Sequence, residues 1–217
     1  MEATSQYRAA AHDNVKHRAL RIIKGTASFE DQFVPDHVVL VNLIEMLRSM
    51  GCVIVFITGV WDLIHIGHAE YIRRGREEAA KLYPNADHFI VVIGADSDDL
   101  TKRRKGPERP IVPEGERVKV LSHLRAVDLV TLQTESDQLF RIIPHEVRVI
   151  SESTKDLPGL EKIRAQCEHL VNLPPQAETS TTARIRRLSI DGAVALLLKV
   201  EQGLTQVLKE VRDGLKG

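Results

Sequence analysis

Two histidines with a glycine between them follow directly after an apolar run. Residues 58–72 read TGVWDLIHIGHAEYI, in which His65 and His68 are three positions apart. The preceding run CVIVFIT predicts a strand that is buried on both faces, and the following HAEYIRRGREEAAKLY predicts a helix. The two imidazoles are therefore expected at the start of a helix, just beyond the carboxyl end of a strand.

Three kinds of chemistry fit a histidine pair in this position: zinc binding, packing in the core and contact with a phosphate. Zinc requires three or four ligands, and no obvious set of Cys, Asp or Glu accompanies the pair. Asp62 is close in sequence, but a strand-to-helix turn is expected to point it elsewhere. Gly59 lets the chain leave the strand and Gly67 lets a ligand approach the helix, whose free N–H groups favour an anion. We therefore favour a phosphate site over the two alternatives.

Buried-strand patterns alternate with helical patterns along the rest of the chain, which implies a parallel sheet with right-handed crossovers. The predicted fold is α/β, with a doubly wound Rossmann-like sheet in a single domain at 34–190. Residues 1–33 are predicted to form a partly helical N-terminal extension, and 191–217 a C-terminal helix that either packs on the sheet or makes a dimer contact. After the strand at 52–58, further strands are predicted at 88–96, 128–132, 146–151 and 169–174. Besides the helix at 68–83, helices are predicted between Pro35 and Gly51 and at 113–127, 135–143 and 158–167.

Composition limits the classes of partner and compartment. The 217 residues include 30 Lys or Arg and 30 Asp or Glu, so no net charge attracts the chain to nucleic acid or to a membrane surface. Apolar runs stay well short of the roughly 18 residues that a membrane span needs. Two cysteines in unrelated contexts imply no disulfide framework, and the first residues show no secretory signal. We expect a cytoplasmic protein that binds no nucleic acid.

Three segments carry a resemblance to a known family. GVWDLIHIGHAEYI resembles the Gly-x-Phe-Asp-x-x-His-x-Gly-His signature of the cytidylyltransferase-like nucleotidyltransferases, with Trp61 in place of Phe. Residues 91–132 resemble the family's second strand, lysine-bearing loop, Glu-Arg helix and Val-Asp strand, and ETSTTARI at 178–185 resembles its late Ser-Thr-Thr segment. Within the family, the chain looks most similar to the adenylyltransferase half of the ADP-heptose synthases and to the phosphoethanolamine and glycerol-phosphate cytidylyltransferases.

The resemblance implies an enzyme that transfers AMP or CMP from ATP or CTP to a phosphorylated small molecule and releases pyrophosphate. Mg²⁺ would arrive with the nucleotide and would have no dedicated protein ligands. The lysines would act from a mobile loop at 97–112. By resemblance, the catalytic residues are His65, His68, Lys105 and Arg117, and the nucleotide-binding residues are Thr58, Gly59, Val60, Trp61, Asp62, Gly67, Asp96, Lys102, Ser180, Thr181 and Thr182.

The sequence departs from the family pattern where relatives form the acceptor and base pocket. VISESTKDLPG at 149–159 replaces a Gly-rich or His-Asp segment, and the late motif lacks the arginine and glycine that often precede Ser-Thr-Thr. A nucleotide-binding sensor or scaffold of the same fold is therefore an alternative. A class I aminoacyl-tRNA synthetase shares the His-Ile-Gly-His tetrapeptide, but no Lys-Met-Ser-Lys-Ser-type loop or tRNA-binding domain is visible.

Overall fold

Five parallel strands form the centre of the fold, and they confirm the predicted doubly wound α/β class. A computed structural model describes residues 14–152, 161, 164–176, 190, 192, 194 and 196–206. The strand order is β3-β2-β1-β4-β5, with every neighbouring pair parallel. The strands are β1 (Val53–Gly59), β2 (Phe89–Asp96), β3 (Leu129–Gln133), β4 (Val147–Ser151) and β5 (His169–Leu173).

The central strand β1 is apolar and buried from Val53 to Ile57, as expected for a strand with both faces covered. Val55 and Ile57 pack in one buried cluster with Ile72, whereas Ile54 and Phe56 belong to a second cluster on the opposite face. The chain adds β2 and β3 on one side of β1 and then returns to add β4 and β5 on the other. In such sheets the ligand crevice lies at this reversal, outside the carboxyl ends of β1 and β4.

Two predictions near the sheet are wrong, one of a loop and one of a helix, and both errors have local causes. A mobile loop is expected at 97–112, but Asp98–Lys105 is a helix whose N-cap Ser97 accepts a hydrogen bond from the Leu100 N–H. A helix is expected at 135–143, but only a 3-10 turn forms, at Leu139–Arg141. Asp137 precedes that turn with a φ of 60°, a left-handed conformation that interrupts a helix.

The helix expected at 113–127 ends at Ser122, whose hydroxyl bonds to the Lys119 carbonyl. The helix predicted at 158–167 falls largely outside the described residues and stays a prediction. In chain order the helices are α1 (residues 14–23 of the described chain), α2 (Phe29–Gln32), α3 (His37–Ser49), α4 (Ile66–Leu82), α5 (Asp98–Lys105) and α6 (Glu114–Ser122).

The N-terminal extension covers the outer edge of β3. The Val34 N–H donates to the Val130 carbonyl at 2.9 Å, which adds a short bridge beside the strand. Arg18 holds α1 against this segment by donating to the carbonyls of Glu30 and Asp31 at 2.7 and 2.8 Å. The extension therefore protects a sheet edge that would otherwise expose unpaired backbone groups.

The chain divides into two compact units, Met1–Ala177 and Glu178–Gly217. In the second unit, residues 196–206 are helical and exposed, including Leu197 and Leu204. The predicted domain limits at 34 and 190 and the packing or dimer role of 191–217 stay predictions. Within the described residues, no helix combines the length and the apolar character needed to cross a membrane.

Candidate active site

The two histidines begin α4, and the backbone around them fixes their orientation. His65 is the N-cap residue, and its Nδ1 accepts a hydrogen bond from the Gly67 N–H at 3.1 Å. Nδ1 of His68 accepts from the His65 N–H at 3.3 Å. Since Nδ1 is an acceptor in both rings, each neutral imidazole carries its hydrogen on Nε2. The helix start thus presents two oriented N–H donors together with its own backbone amides.

The environment of His68 keeps its ring neutral. Its ring lies 5.6 Å from that of Trp61 and 4.2 Å from that of His65. Burial first, and the neighbouring His65 second, lower the pKa of His68 to about 4. At neutral pH, His68 is therefore a donor of one hydrogen bond rather than a cation.

Neither alternative chemistry for the histidine pair gains support from the geometry. Among the described residues, no group of three or more His, Cys, Asp or Glu side chains could hold a metal ion. Both rings are only half-buried and lie at the helix start, although the His68 ring also packs against the buried Trp61. The arrangement best suits an anion at the carboxyl edge of β1.

A strained turn between β1 and α4 places the histidines. Trp61 and Leu63 have φ angles of 60° and 47°, which are unusual for residues other than glycine. Trp61 anchors the turn, since its buried ring donates from Nε1 to the Gly94 carbonyl at 3.2 Å. Gly59 makes room for this anchor, because a Cβ at that position would lie 3.1 Å from the Trp61 ring. The predicted nucleotide contacts of Gly59 and Trp61 stay predictions, and in this structure both residues support the turn.

Asp62 connects the strained turn to the loop that follows α5. Its buried carboxylate accepts hydrogen bonds from the N–H groups of Ile111 and Val112 at 3.0 and 2.9 Å. The same carboxylate pairs with the Arg109 guanidinium at 2.9 Å. Asp62 therefore fixes loop 106–112 relative to the histidines, which is a positioning role.

Replacing Asp62 with alanine should loosen this loop. The variant leaves two backbone N–H donors and the Arg109 cation without the buried carboxylate that accepts from them, so we expect the free energy of unfolding to fall by about 2 kcal/mol. Hydrogen exchange at Ile111 and Val112 should accelerate more than exchange at Ile54 in β1, which mass spectrometry or NMR would resolve. Equal acceleration at all three amides would show that Asp62 stabilises the whole fold without holding the loop in particular.

Arg117 is fully buried, and its guanidinium contacts three separate segments. Nε donates to the Val112 carbonyl at 2.9 Å, Nη2 to Asp98 at 2.7 Å, and Nη1 to the Val60 carbonyl. Val60 belongs to the strained turn, Val112 to the loop and Asp98 to the first turn of α5. The resemblance assigned Arg117 to phosphate or acceptor, and Val60 to the nucleotide. In this structure both take part in holding the site together.

The cationic helix α5 borders the site. Lys105 lies close enough to His68 for its charge to contribute to the lowered pKa of that ring, whereas Lys102 lies one turn earlier on the helix. Burial, followed by the charges of Arg109 and Arg104, lowers the pKa of Lys105. A lysine crowded by other cations gains from a nearby anion, so Lys105 suits a phosphate neighbour.

Asp96, at the end of β2, is buried and bonded to protein groups. One carboxylate oxygen accepts from Arg104 at 2.6 Å and the other from the side-chain amide of Gln133. These contacts orient α5, and a contact between Asp96 and a nucleotide stays a prediction. The remaining predicted site residues, Ser180, Thr181 and Thr182, lie outside the described residues.

Arg148 is a feature of the site region that the sequence analysis missed. This β4 residue is buried, and its Nη2 donates to the Thr58 hydroxyl at 2.6 Å. Its guanidinium carbon lies 4.4 Å from the ring centre of Phe56 and 3.8 Å from that of Phe140. The signal for it was an arginine inside the otherwise apolar pattern VRVI at 147–150. Thr58, predicted to contact the triphosphate, thus has a buried cation beside it.

A family model described as cytidylyltransferase-like matches residues 56–187, which is more than half of the chain. The matched region begins in β1 and includes the strained turn, both histidines and α5. The resemblance drawn from the three sequence segments is therefore confirmed.

Curated relatives share part of their length with this chain. A protein named Bifunctional protein HldE from a Nitratiruptor species is 29% identical over 73% of this chain and 32% of its own. Another of that name, from Hyphomonas neptunium, is 33% identical over 68% of this chain and 29% of its own. The chain thus spans about a third of the length of these two curated relatives.

Among solved structures, the lipopolysaccharide core biosynthesis protein from Thermoplasma volcanium is 24% identical and covers 57% of this chain and 97% of its own, with a TM-score of 0.43. The family assignment rests on the family model, and the sequence relatives agree with it.

Proposed function

Since the chain belongs to the cytidylyltransferase-like family, we propose that it is a nucleotidyltransferase that moves AMP or CMP from ATP or CTP to a phosphorylated small molecule. One observation carries the proposal: two imidazoles stand at the start of α4, beside the crevice of the sheet, and in each ring Nδ1 accepts a backbone N–H, which leaves Nε2 to face a ligand. A sugar phosphate is the first acceptor class to test, because the signature segments look most similar to the ADP-heptose synthases.

The proposed reaction requires little covalent chemistry from the protein. A phosphate oxygen of the acceptor attacks the α-phosphorus in line, the new P–O bond forms, and the bond to pyrophosphate breaks. Negative charge accumulates on the oxygens around phosphorus and on the leaving pyrophosphate. His65 and His68 donate to those oxygens from positions that the helix start has already fixed, and Lys105 neutralises part of the charge.

Mg²⁺ would enter this site with the nucleotide. The two aspartates nearest to the crevice, Asp62 and Asp96, are buried and accept hydrogen bonds from protein groups. The described residues therefore offer no carboxylate cluster for a resident cation, and the ion would be held mainly by phosphate oxygens and water.

Pyrophosphate release tests the proposal directly. Purified protein with Mg²⁺ should release pyrophosphate from ATP or CTP only when a suitable acceptor is present, with sugar phosphates and amino-alcohol phosphates as the first panel. A thermal-shift screen of the four nucleoside triphosphates should raise the melting temperature with the preferred one. Nucleotide binding without turnover across a broad acceptor panel would favour the sensor or scaffold alternative.

Replacing Lys105 with alanine should mainly weaken nucleotide binding. The ammonium group would interact with triphosphate oxygens in both the ground state and the transition state, so we expect about a tenfold higher Kd and a smaller change in kcat. Isothermal titration with the preferred nucleotide measures this, with Lys119→Ala on the exposed face of α6 as the control. Lys102→Ala should have a weaker effect, because Lys102 lies one turn before Lys105 on α5 and thus further from His68. Unchanged nucleotide affinity in Lys105→Ala would show that Lys105 is a solvated surface residue without a contact to the nucleotide.

A further inference from the structure

Arg148 is a buried cation that pairs with no carboxylate in the part of the chain that the structure describes. Its side chain leaves β4 beside Phe56 of β1 and stands between the rings of Phe56 and Phe140. Among the ion pairs of the described residues, none involves Arg148, and its Nε and Nη1 atoms have no hydrogen-bond partner there. Burial lowers the pKa of Arg148 to about 9, so the group is still charged at neutral pH.

Such a group is costly for stability alone. A buried polar group that lacks a partner loses its hydration without compensation, and a buried charge loses more. The two aromatic rings recover part of this loss through cation–π contacts, but they leave the two nitrogens unsatisfied. Stability alone therefore does not account for the buried guanidinium, which points to a role in binding or catalysis near the edge of the sheet.

The hydrogen bond from the Arg148 side chain determines the orientation of the Thr58 hydroxyl. Because Nη2 donates to Oγ1, the oxygen is an acceptor in this contact and its own hydrogen is directed elsewhere. Residues 14–152 give that hydrogen no acceptor. Thr58 is only half-buried and is the penultimate residue of β1, so the hydroxyl hydrogen is available to a ligand at the edge of the sheet.

The pair lies where the topology places the ligand crevice. Thr58 belongs to β1 and Arg148 to β4. These neighbouring strands mark the point where the strand order reverses, since β2 and β3 lie on one side of β1 and β4 and β5 on the other. Thr58 faces the side of the sheet that carries Phe56, and a Cβ at Gly94 on the neighbouring strand would clash with its methyl group at 2.9 Å. Trp61, which supports the histidines, packs in the cluster on the opposite side. A phosphate at the crevice would thus have donors on both sides.

We propose that Arg148 is a positioning residue that holds the Thr58 hydroxyl as a hydrogen-bond donor to a phosphate oxygen of a bound substrate, from the side opposite the two histidines. The phosphate belongs either to the nucleotide or to the acceptor, and the chemistry of recognition is the same for both. The inference rests on the proposed function for the identity of the ligand.

A double-mutant cycle with Thr58→Val and Arg148→Met tests this pair. Each single variant should lower kcat/KM at least tenfold, as expected for a lost hydrogen bond to a charged group, and Thr58→Ser should keep activity near that of the wild type. Adding Arg148→Met to Thr58→Val should lower kcat/KM less than twofold further, because the guanidinium acts only through the hydroxyl. A raised nucleotide Kd would assign the contact to the nucleotide, whereas a raised acceptor KM alone would assign it to the acceptor.

A matched control separates this role from general stability. Thr131 of β3 is a threonine at a different strand position, and its buried hydroxyl has no partner among the described residues, so Thr131→Val should leave kcat/KM unchanged. If Arg148→Met does not fold, Arg148→Lys takes its place in the cycle. Arg148→Lys should retain part of the activity when Thr58 is present, and should make no difference to activity when Thr58 is replaced by valine. Additive losses in the cycle, or an Arg148→Met enzyme with wild-type activity, would overturn the inference while leaving the proposed function intact. A wild-type protein without nucleotide binding or turnover would instead overturn the proposed function, and with it this role for the pair.

Discussion

Replacing His68 with alanine should lower turnover by about a hundredfold or more while the fold survives. His68 supplies a preorganised Nε2–H donor, and the loss of one such donor to developing oxyanion charge typically costs about 10²–10³ in rate. The ring also accepts the His65 N–H, so its loss frees the backbone of the neighbouring His65. The change in kcat for pyrophosphate release, measured with saturating nucleotide and acceptor, gives the effect.

The matched variants for this experiment are His68→Gln and His123→Ala. Glutamine can place an N–H near the position of Nε2, so His68→Gln should retain more activity than His68→Ala. His123 is exposed at the end of α6, and its removal should leave kcat unchanged. An alanine variant of His68 that stays within a few-fold of the wild-type kcat would count strongly against a role for this ring in the reaction.

The pH dependence adds a second measurement on the same variant. The pKa of His68 is lowered to about 4 from an ordinary value of 6.5, so the folded state favours the neutral ring. Its contribution to stability is present above pH 6.5 and is lost as the pH falls from there through 4. The ratio of wild-type to His68→Ala turnover should therefore stay constant between about pH 6 and 8, because His68 is a neutral donor throughout that range.

The position of the histidines was predictable, whereas their orientation was not. A change from a continuous β-branched run to a helical pattern places His65 and His68 at a helix start, and the structure agrees. The hydrogen bonds that fix both rings depend on the backbone conformation of the turn, including the positive φ of Trp61. No local pattern in the sequence encodes that conformation.

Charged residues account for most of the other places where the prediction from the sequence and the observed structure differ. The α5 sequence DDLTKRRK carries almost no apolar periodicity, so its pattern predicts a loop, although its N-cap and its charge order favour a helix. The burial of Arg117 has no sequence signal of its own, because it depends on distant segments that fold over the side chain, whereas the only signal for Arg148 is the apolar pattern VRVI around it. Both side chains contact residues that are far away in sequence, including Val60 and Thr58.

Replacing Arg117 with methionine should destabilise the protein more than any other substitution considered for this site. The variant would leave two carbonyls, those of Val60 and Val112, without their donor and would remove the ion pair with Asp98. We expect the free energy of unfolding to fall by about 3 kcal/mol, which denaturant titration would measure. Arg125→Met, at an exposed position after α6, is the control and should change stability by less than about 0.5 kcal/mol.

The same variant distinguishes a positioning role for Arg117 from the substrate contact that the family resemblance implies. The planar guanidinium reaches three acceptors in different directions, so Arg117→Lys should recover little of the lost stability. If the residue acts through the fold, the loss of stability should accompany a lower kcat, because the turn, the loop and α5 all shift relative to the histidines. If stability stays near that of the wild type and only the KM for nucleotide or acceptor rises, Arg117 contacts substrate, and the buried position in this structure must change when substrate binds.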